Sequence, residues 1–388
     1  MIANRIQQVQ DPVIPIVGRW TSEHPGTISL GQGVVHYPPP QEVFRAVAES
    51  AQPDRGLDRY GPVAGNDPLI EAIEKKLIAE NEIDPIADQS SVVCTAGSNM
   101  GFLNAVLAIA EIGDEIILLS PYYFNHHMAI EIAGCRPVVV PTDRENQPDI
   151  DAITQAITPR TKAVVTVSPN NPTGAVYSKD ALAEINLMCA ARGLYHLSDE
   201  AYEYFTHDGV RHYSPGSAIG ASEHTISLFS LSKAYGMAGW RIGYSVVPNH
   251  LLVGIKKIQD TNLICPPIIC QVAAEAALQV GSQWCRKQIT GLTAVRDSTL
   301  ETLSELGDRV QFAVPQGAFY VLFQLQTDQS DMELVEKLIR QFGVAVLPGS
   351  AFGESKSCTL RLSYGALDPQ SVSEGVGRLR DGLATLLS

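Results

Sequence analysis

The chain has 388 residues, 45% hydrophobic and 18% charged, which is ordinary globular composition with length enough for two domains and a sizeable core. Its 42 acidic and 28 basic side chains give a net charge of −14 without any block of like charge, which argues against nucleic acid or an anionic membrane as a partner. Seven scattered cysteines with no CxxC pair read as reduced, mostly buried thiols rather than a disulfide frame or zinc site.

The first residues, Met1-Ile-Ala-Asn-Arg-Ile-Gln7, lack a signal-like apolar core, and no apolar run is long enough to cross a bilayer, so a cytoplasmic location is expected. Residues 1–40 are rich in turn-formers (Pro12, Pro15, Pro25, Pro38-Pro39-Pro40) around a strand-like piece, Ile28–Val35. Gly31 and Gly33 within it suit either a close approach of backbone to a ligand or a simple surface turn. Helical spacing begins near Gln41 with Val43, Phe44, Val47 and Ala48, and a break follows at Pro53-Asp54-Arg55-Gly56. Tyr60 lies in the loop Tyr60–Gly65, where its phenol could serve a ligand or only packing. A helix is expected from Pro68 to Glu82.

Ser91–Thr95 reads as a strand, and Ala96-Gly-Ser-Asn-Met100 leads directly into a helix through Leu103, Val106, Leu107 and Ile109. Strand, glycine turn and helix aim free N–H groups at an anion, with Gly97, Ser98 and Asn99 supplying them. The strand Glu115–Ser120 delivers Tyr123 and His126 just past its C-terminal end, where open α/β sheets place ligands. Pro137–Pro141 is another strand, followed by a helix from Asp149. Lys162–Ser168 runs into Pro169-Asn-Asn-Pro-Thr-Gly174, a rigid turn able to fix the Asn171 amide. After a helix over Lys179–Arg192, Leu194–Leu197 leads to Asp199, which is either a helix cap or a functional carboxylate, with Tyr202 three residues on.

Ile226–Leu231 reads as a buried strand that brings Lys233 to a rim of small residues (Ala234, Gly236, Ala238, Gly239), with Arg241 eight positions later. A lysine on a dry rim can lose its proton and attack a carbonyl, and Ser230, Ser232 and Arg241 could hold a dianion beside it. An aldehyde that carries a phosphate, such as pyridoxal 5'-phosphate (PLP), fits that set; a surface lysine near a structural arginine is the plainer alternative. Strand and helix alternate from 91 to 247, which predicts an α/β fold with a mainly parallel sheet and helices on both faces. Polar candidates recur at strand C-termini (97–99, 123–126, 171, 199, 230–233), a coincidence that favours function over packing.

Beyond Pro248 a helical region is interrupted at Cys265-Pro-Pro267 and resumes from Ile268 to Leu278, and Leu292, Val295, Leu300 and Leu303 mark a further helix. Strands around Val314–Phe323, Phe342–Gly353 and Cys358–Tyr364, with a final helix over Ser371–Leu387, make a smaller α+β domain. Arg361 stands in the middle of an apolar strand, so it either pairs with an internal acid or faces an anionic ligand such as a carboxylate.

Over nearly its whole length the chain resembles the class I/II aminotransferases, PLP enzymes of fold type I. The most specific stretch is Ser230-Leu-Ser-Lys-Ala-Tyr-Gly-Met-Ala-Gly-Trp-Arg-Ile-Gly-Tyr244, supported by Asn171-Pro-Thr-Gly174 and Asp199-Glu-Ala-Tyr202. The resemblance implies a three-layer α/β/α large domain with a seven-stranded sheet (41–280) and a small domain from 1–40 and 281–388. Lys233 would form the Schiff base with PLP and shuttle a proton, and Asp199 would pair with the ring nitrogen. Asn171 and Tyr202 would bond the ring's phenolic oxygen, Tyr123 would stack on the ring, and His126 would support Asp199. Gly97, Ser98, Asn99, Ser230 and Arg241 would hold the phosphate, joined by Tyr60 from the other subunit of a homodimer with shared sites. Arg361 would grip the substrate's α-carboxylate, with backbone around Gly33 closing over it.

Transfer of an amino group from an L-amino acid to a 2-oxo acid such as 2-oxoglutarate is the activity implied, with no metal. The stretches around Asn99 and Asp260–Cys265 lack the second basic residue of dicarboxylate-specific relatives, which leans toward neutral or aromatic donors. His36-Tyr-Pro-Pro-Pro40 departs from the commoner acidic version of that segment. The same residues would also serve a C–S β-lyase, and a non-catalytic PLP-binding regulator is the remaining alternative.

Overall fold

A computed structural model describes residues 2–52 and 56–387, and the expected break at residues 53–55 lies outside them. In chain order its strands are β1 (Ile28–Ser29), β2 (Ser90–Thr95), β3 (Glu115–Ser120), β4 (Arg136–Pro141), β5 (Thr161–Val167), β6 (Tyr195–Asp199), β7 (Thr225–Ser230), β8 (Gly243–Pro248), β9 (Val310–Phe312), β10 (Tyr320–Leu325), β11 (Val344–Ala345), β12 (Leu347–Pro348) and β13 (Cys358–Ser363). Seven of them form one sheet in the order β2-β8-β7-β6-β5-β3-β4. The strands β4, β3, β5, β6 and β7 pair in parallel, as alternating strand and helix predict. Their central members are apolar and enclosed along nearly their whole length, as strands covered on both faces are.

The exception is β8, antiparallel to both β7 and β2. Its connection from β7 holds no crossover helix, only the short turn Ala238–Trp240. That connection carries Lys233 and Arg241. Because the other six strands run the same way, the ends of β2, β3, β5, β6 and β7 all open on one edge of the sheet. The residues that follow them meet there.

A second sheet, β12-β13-β10-β9, is antiparallel throughout, and Leu322 of β10 faces Arg361 of β13 across it. Helices Asp331–Phe342 and Pro369–Leu386 cover it, and β1 from the N-terminal segment pairs with β11 beside it. Apolar residues of this second region, such as Phe319, Phe323, Leu360 and Leu362, are continuous with a core that reaches Phe205 and Phe229 of the large sheet's surroundings.

Several local expectations need correction. The proline-rich N-terminal segment holds helices Asn4–Gln8 and Val13–Glu23, because Pro15 falls in a first turn, where its missing N–H is not needed. Strand structure in Ile28–Val35 is confined to Ile28–Ser29, after which the chain runs irregularly. The helix from Asp67 ends at Lys76 and continues as a π-turn over Leu77–Asn81. Helices Phe124–Ile132 and Asp331–Phe342 go beyond what the sequence pattern suggests. Among the described residues, no helix is long and apolar enough to cross a membrane.

Candidate active site

The shared strand edge shapes a cavity of about 260 Å³, with Ser98, Asn99, Tyr123, Asn171, Asp199 and Lys233 in its walls. A much wider polar cleft of about 1410 Å³ lies elsewhere, between residues 141–148 and the strands β10 and β13, and it holds none of these groups.

Lys233 stands three residues beyond β7, and its Nζ donates to the carbonyl of Gly33. Burial, reinforced by Arg361 and Arg241, pulls its ammonium from the usual lysine range down to about 8. Around it an anion cradle takes shape. Ser98 begins the helix Ser98–Ile109, and Gly97 precedes it with φ of +80°. A Cβ on Gly97 would fall 2.4 Å from Arg241 Nη2, so only glycine lets the guanidinium lie across this turn. Gly243 has a similar role, since a Cβ there would come 3.0 Å from the backbone nitrogen of Ser98. Ser230 and Ser232 line the same end, and Arg241 donates to Ala238 O at 3.0 Å and reaches Ser232 Oγ at 3.5 Å.

Asp199, at the end of β6, is enclosed, and its Oδ1 accepts from the Ala201 amide at 3.0 Å. His126 Nε2 stands 3.0 Å from its Oδ2, with the imidazole stacked on Phe102 at 3.9 Å between centroids. Tyr123 stands edge-on to His126, and its hydroxyl accepts from Asn125 at 2.9 Å.

Asn171 joins the two regions. Its Oδ1 accepts from Arg361 Nη1 at 2.9 Å, and its Nδ2 points to the Tyr202 hydroxyl at 3.4 Å. The turn holds it because Asn170 Oδ1 accepts from both the amide and the hydroxyl of Thr173. Arg361 is fully buried, bonded through Nη2 to Gly31 O at 2.6 Å and packed over the rings of Tyr320 and Phe352. Among the described residues its Nε has no hydrogen-bond partner, and burial lowers its affinity for its proton. Among the described residues, no carboxylate lies within ion-pair distance of Arg361, Lys233 or Arg241. Three cations therefore gather around one carboxylate, Asp199, and the surplus suits anionic ligands.

These residues fit PLP: a largely enclosed amine for an aldehyde, a helix start with serines and an arginine for a phosphate, and a buried carboxylate for a ring nitrogen. Every expected site residue lies in or against this cavity except Tyr60, which is 81% exposed outside it. Sequence reasoning missed Tyr320, whose hydroxyl is 2.8 Å from that of Tyr202, and Tyr37, whose hydroxyl reaches Ala234 O at 3.2 Å. The signal for Tyr320 is its place two residues before Leu322, on the sheet face of Arg361.

A sheet edge that gathers an enclosed amine and an anion cradle defines a class of enzyme built around a phosphorylated aldehyde. Comparison with known proteins is consistent with that class. Residues 25–379 match the family model for aminotransferase class I and II. The aromatic aminotransferase ISS1 of Arabidopsis thaliana is 34% identical, covering 100% of this chain and 97% of its own length. Among solved structures, the aspartate aminotransferase from Thermus thermophilus with maleate superposes with a TM-score of 0.90 at 31% identity, covering 99% of this chain and 100% of its own. The aromatic aminotransferase from Pyrococcus horikoshii OT3 gives 0.86 at 32% identity, over 96% and 99% of the two chains. The chain belongs to the class I and II aminotransferases, and it is a PLP-dependent transaminase that acts on an amino acid and a 2-oxo acid.

Proposed function

We propose that this enzyme takes neutral or aromatic L-amino acids as donors in preference to acidic ones, and that Lys233 is the residue holding its cofactor. The observation that carries the site is Arg361, a fully buried guanidinium without a carboxylate beside it. An α-carboxylate would take the place of Gly31 O in a planar two-pronged contact. For the side chain, among the described residues the walls of this cavity offer no cation beyond Lys233 and Arg241, both committed to the cofactor end, which supports a neutral side chain over a second carboxylate.

When bound, PLP supplies an electrophilic carbon and a ring that spreads the negative charge left at the amino acid's Cα. Ser98, Asn99, Ser230 and Arg241 would bind its phosphate, with Gly97 leaving room for the guanidinium. Asp199, with His126 Nε2 3.0 Å from its Oδ2, would pair with the ring nitrogen and favour its protonated form. Tyr123 offers a ring face for stacking, and Asn171 and Tyr202 offer donors to a phenolic oxygen. Lys233, with an amine that is neutral above about pH 8, takes the proton from Cα. Closure of the Gly31–Pro40 segment over Lys233 would exclude water.

We infer further that the chain divides at about residues 40 and 280, as the pairing of β1 with β11 supports. It works as a homodimer in which Tyr60 reaches the partner's phosphate site. Supporting this, Tyr60 is absent from the lining of its own cavity, and half-exposed Phe44 packs on Trp240, the residue before Arg241. A cytoplasmic location fits the reduced cysteines.

Single-turnover mixing of the PLP-loaded enzyme with individual amino acids, followed by absorbance and by analysis of the 2-oxo acid formed, tests the substrate reading. Faster turnover with phenylalanine or methionine than with aspartate is expected, and the reverse order contradicts it. Ammonia and pyruvate released without an acceptor would instead identify elimination. Borohydride reduction and peptide mapping test the anchor, with the pyridoxyl mass expected on Lys233 and nowhere else.

A further inference from the structure

Tyr320 opens β10, and its hydroxyl lies 2.8 Å from that of Tyr202, just past β6, so one hydrogen bond joins the two regions. Both phenols are buried. Of two neutral hydroxyls at this distance, one donates and the other accepts. If Tyr202 donated, the proton of Tyr320 would be left without an acceptor, because its hydroxyl has no other hydrogen-bond partner among the described residues. If Tyr320 donates, both lone-pair directions of Tyr202 are met, by Tyr320 and by Asn171 Nδ2, and the Tyr202 proton is free to point into the cavity. The second arrangement leaves no proton stranded once the cavity holds an acceptor.

Tyr320 touches more than Tyr202. Its ring lies 4.4 Å from the Arg361 guanidinium, and a Cβ on Gly33 would come 2.8 Å from its hydroxyl and 3.9 Å from Lys233 Nζ. One side chain thus contacts the carboxylate grip, the closing segment and the phenol of Tyr202.

We propose that Tyr320 is a positioning residue for amino-group transfer, whose hydroxyl donates to Tyr202 and turns the Tyr202 proton toward the cavity while its ring seats Arg361. The inference rests on the reading that Lys233 and Tyr202 face bound PLP. Burial raises both phenols above their usual range, so both hydroxyls keep their protons and one must donate to the other.

The test compares Tyr320→Phe, which keeps the ring, with Tyr320→Leu, which removes ring and hydroxyl, in PLP-loaded protein. The readouts are the pH midpoint of the bound cofactor's absorbance, PLP retention on dialysis, and kcat and KM for an amino acid. A donor to the cofactor's phenolic oxygen drains charge from it and loosens the proton shared with the lysine nitrogen, so losing that support raises the midpoint. For Tyr320→Phe the expected shift is upward by about half to one pH unit, with kcat down about five- to tenfold and KM within about twofold. Tyr320→Leu should in addition raise KM about tenfold as Arg361 loses its seat. Tyr202→Phe should shift the midpoint further, and adding Tyr320→Phe to it should change nothing more, since the two act as one unit. An unshifted midpoint in Tyr320→Phe, or fully additive shifts in the double variant, overturns the proposal, and Tyr320→Phe alone decides the matter should Tyr320→Leu fail to fold. A parent protein that carries no PLP on Lys233 after borohydride reduction removes the site reading itself, a result distinct from a normal parent with an unshifted variant.

Discussion

Two clusters of charge flank the end of β6, and they are built on opposite terms. On one side, Lys76 bonds Glu203 and Asn81, Asn81 bonds Glu203 and Ser214, and Glu200 accepts from Ser198, Ser214 and His212. There the cation Lys76 is matched by the carboxylate of Glu203, and the Glu200 carboxylate is held by three partners within the chain. On the other side, Lys233, Arg241 and Arg361 gather around Asp199, and among the described residues they bond only neutral oxygens and have no carboxylate within ion-pair distance. Removing a charge from water costs free energy wherever it is done, and it is done most completely at Lys76 on one side and Arg361 on the other. Where the chain meets that cost internally, the cluster is structural; where it leaves cations unmatched around a cavity, the missing charge belongs to a ligand.

Substitutions can break that contrast from either side. The largest effect is expected from Lys233→Ala, with transamination falling by at least about 10⁴-fold in a protein that still folds. Next comes the balanced cluster. Lys76→Met leaves Glu203 buried without its cation and should cost about 3–5 kcal/mol in denaturant unfolding, with KM unchanged. A KM change as large as the stability change would mean that the two clusters are not separate. Arg361→Met should lower kcat/KM for amino acids by about 10²–10³-fold, chiefly through KM. Gly97→Ala forces Arg241 aside and should weaken PLP binding about tenfold, measured by equilibrium dialysis.

The smallest effect is one of pH. A lysine ordinarily near 10.5 is held at about 8 in the folded protein, so it is charged below pH 8 and neutral above. Capture of PLP by the cofactor-free protein should therefore quicken up to about pH 8 and then level off, as stopped-flow absorbance can follow. A rate still climbing at pH 10 would mean that burial does not tune this amine. The same displacement bears on folding. Between pH 8 and 10.5 the unfolded chain binds more protons than the folded one, so the stability penalty of burying Lys233 is relieved as pH rises through that window.

Much of the large sheet was legible in the sequence because its strands are short apolar runs ended by glycine, proline or polar residues, as at Glu115–Ser120 and Thr161–Val167. The residues that follow those runs could be named as site candidates without knowing their distances. What could not be read depends on contacts distant in sequence. Tyr320 looks like one more aromatic in an apolar strand until β10 is set beside β13 and against Tyr202. Nothing local says whether Arg361 meets an acid or a ligand; only the assembled neighbourhood shows Asn171, Gly31 and two rings in place of a carboxylate. The antiparallel course of β8 follows from a connection too poor in helix to cross over, a feature that glycine-rich sequence hides.

The most direct test of the contrast is the melting temperature of cofactor-free Arg361→Met protein beside that of the parent. An arginine held for an absent ligand is a burden to the empty protein, so the variant should melt at the same temperature or higher. A melting point several degrees lower would contradict this, because it would show that Arg361 is matched within the chain and holds the fold together as Lys76 does.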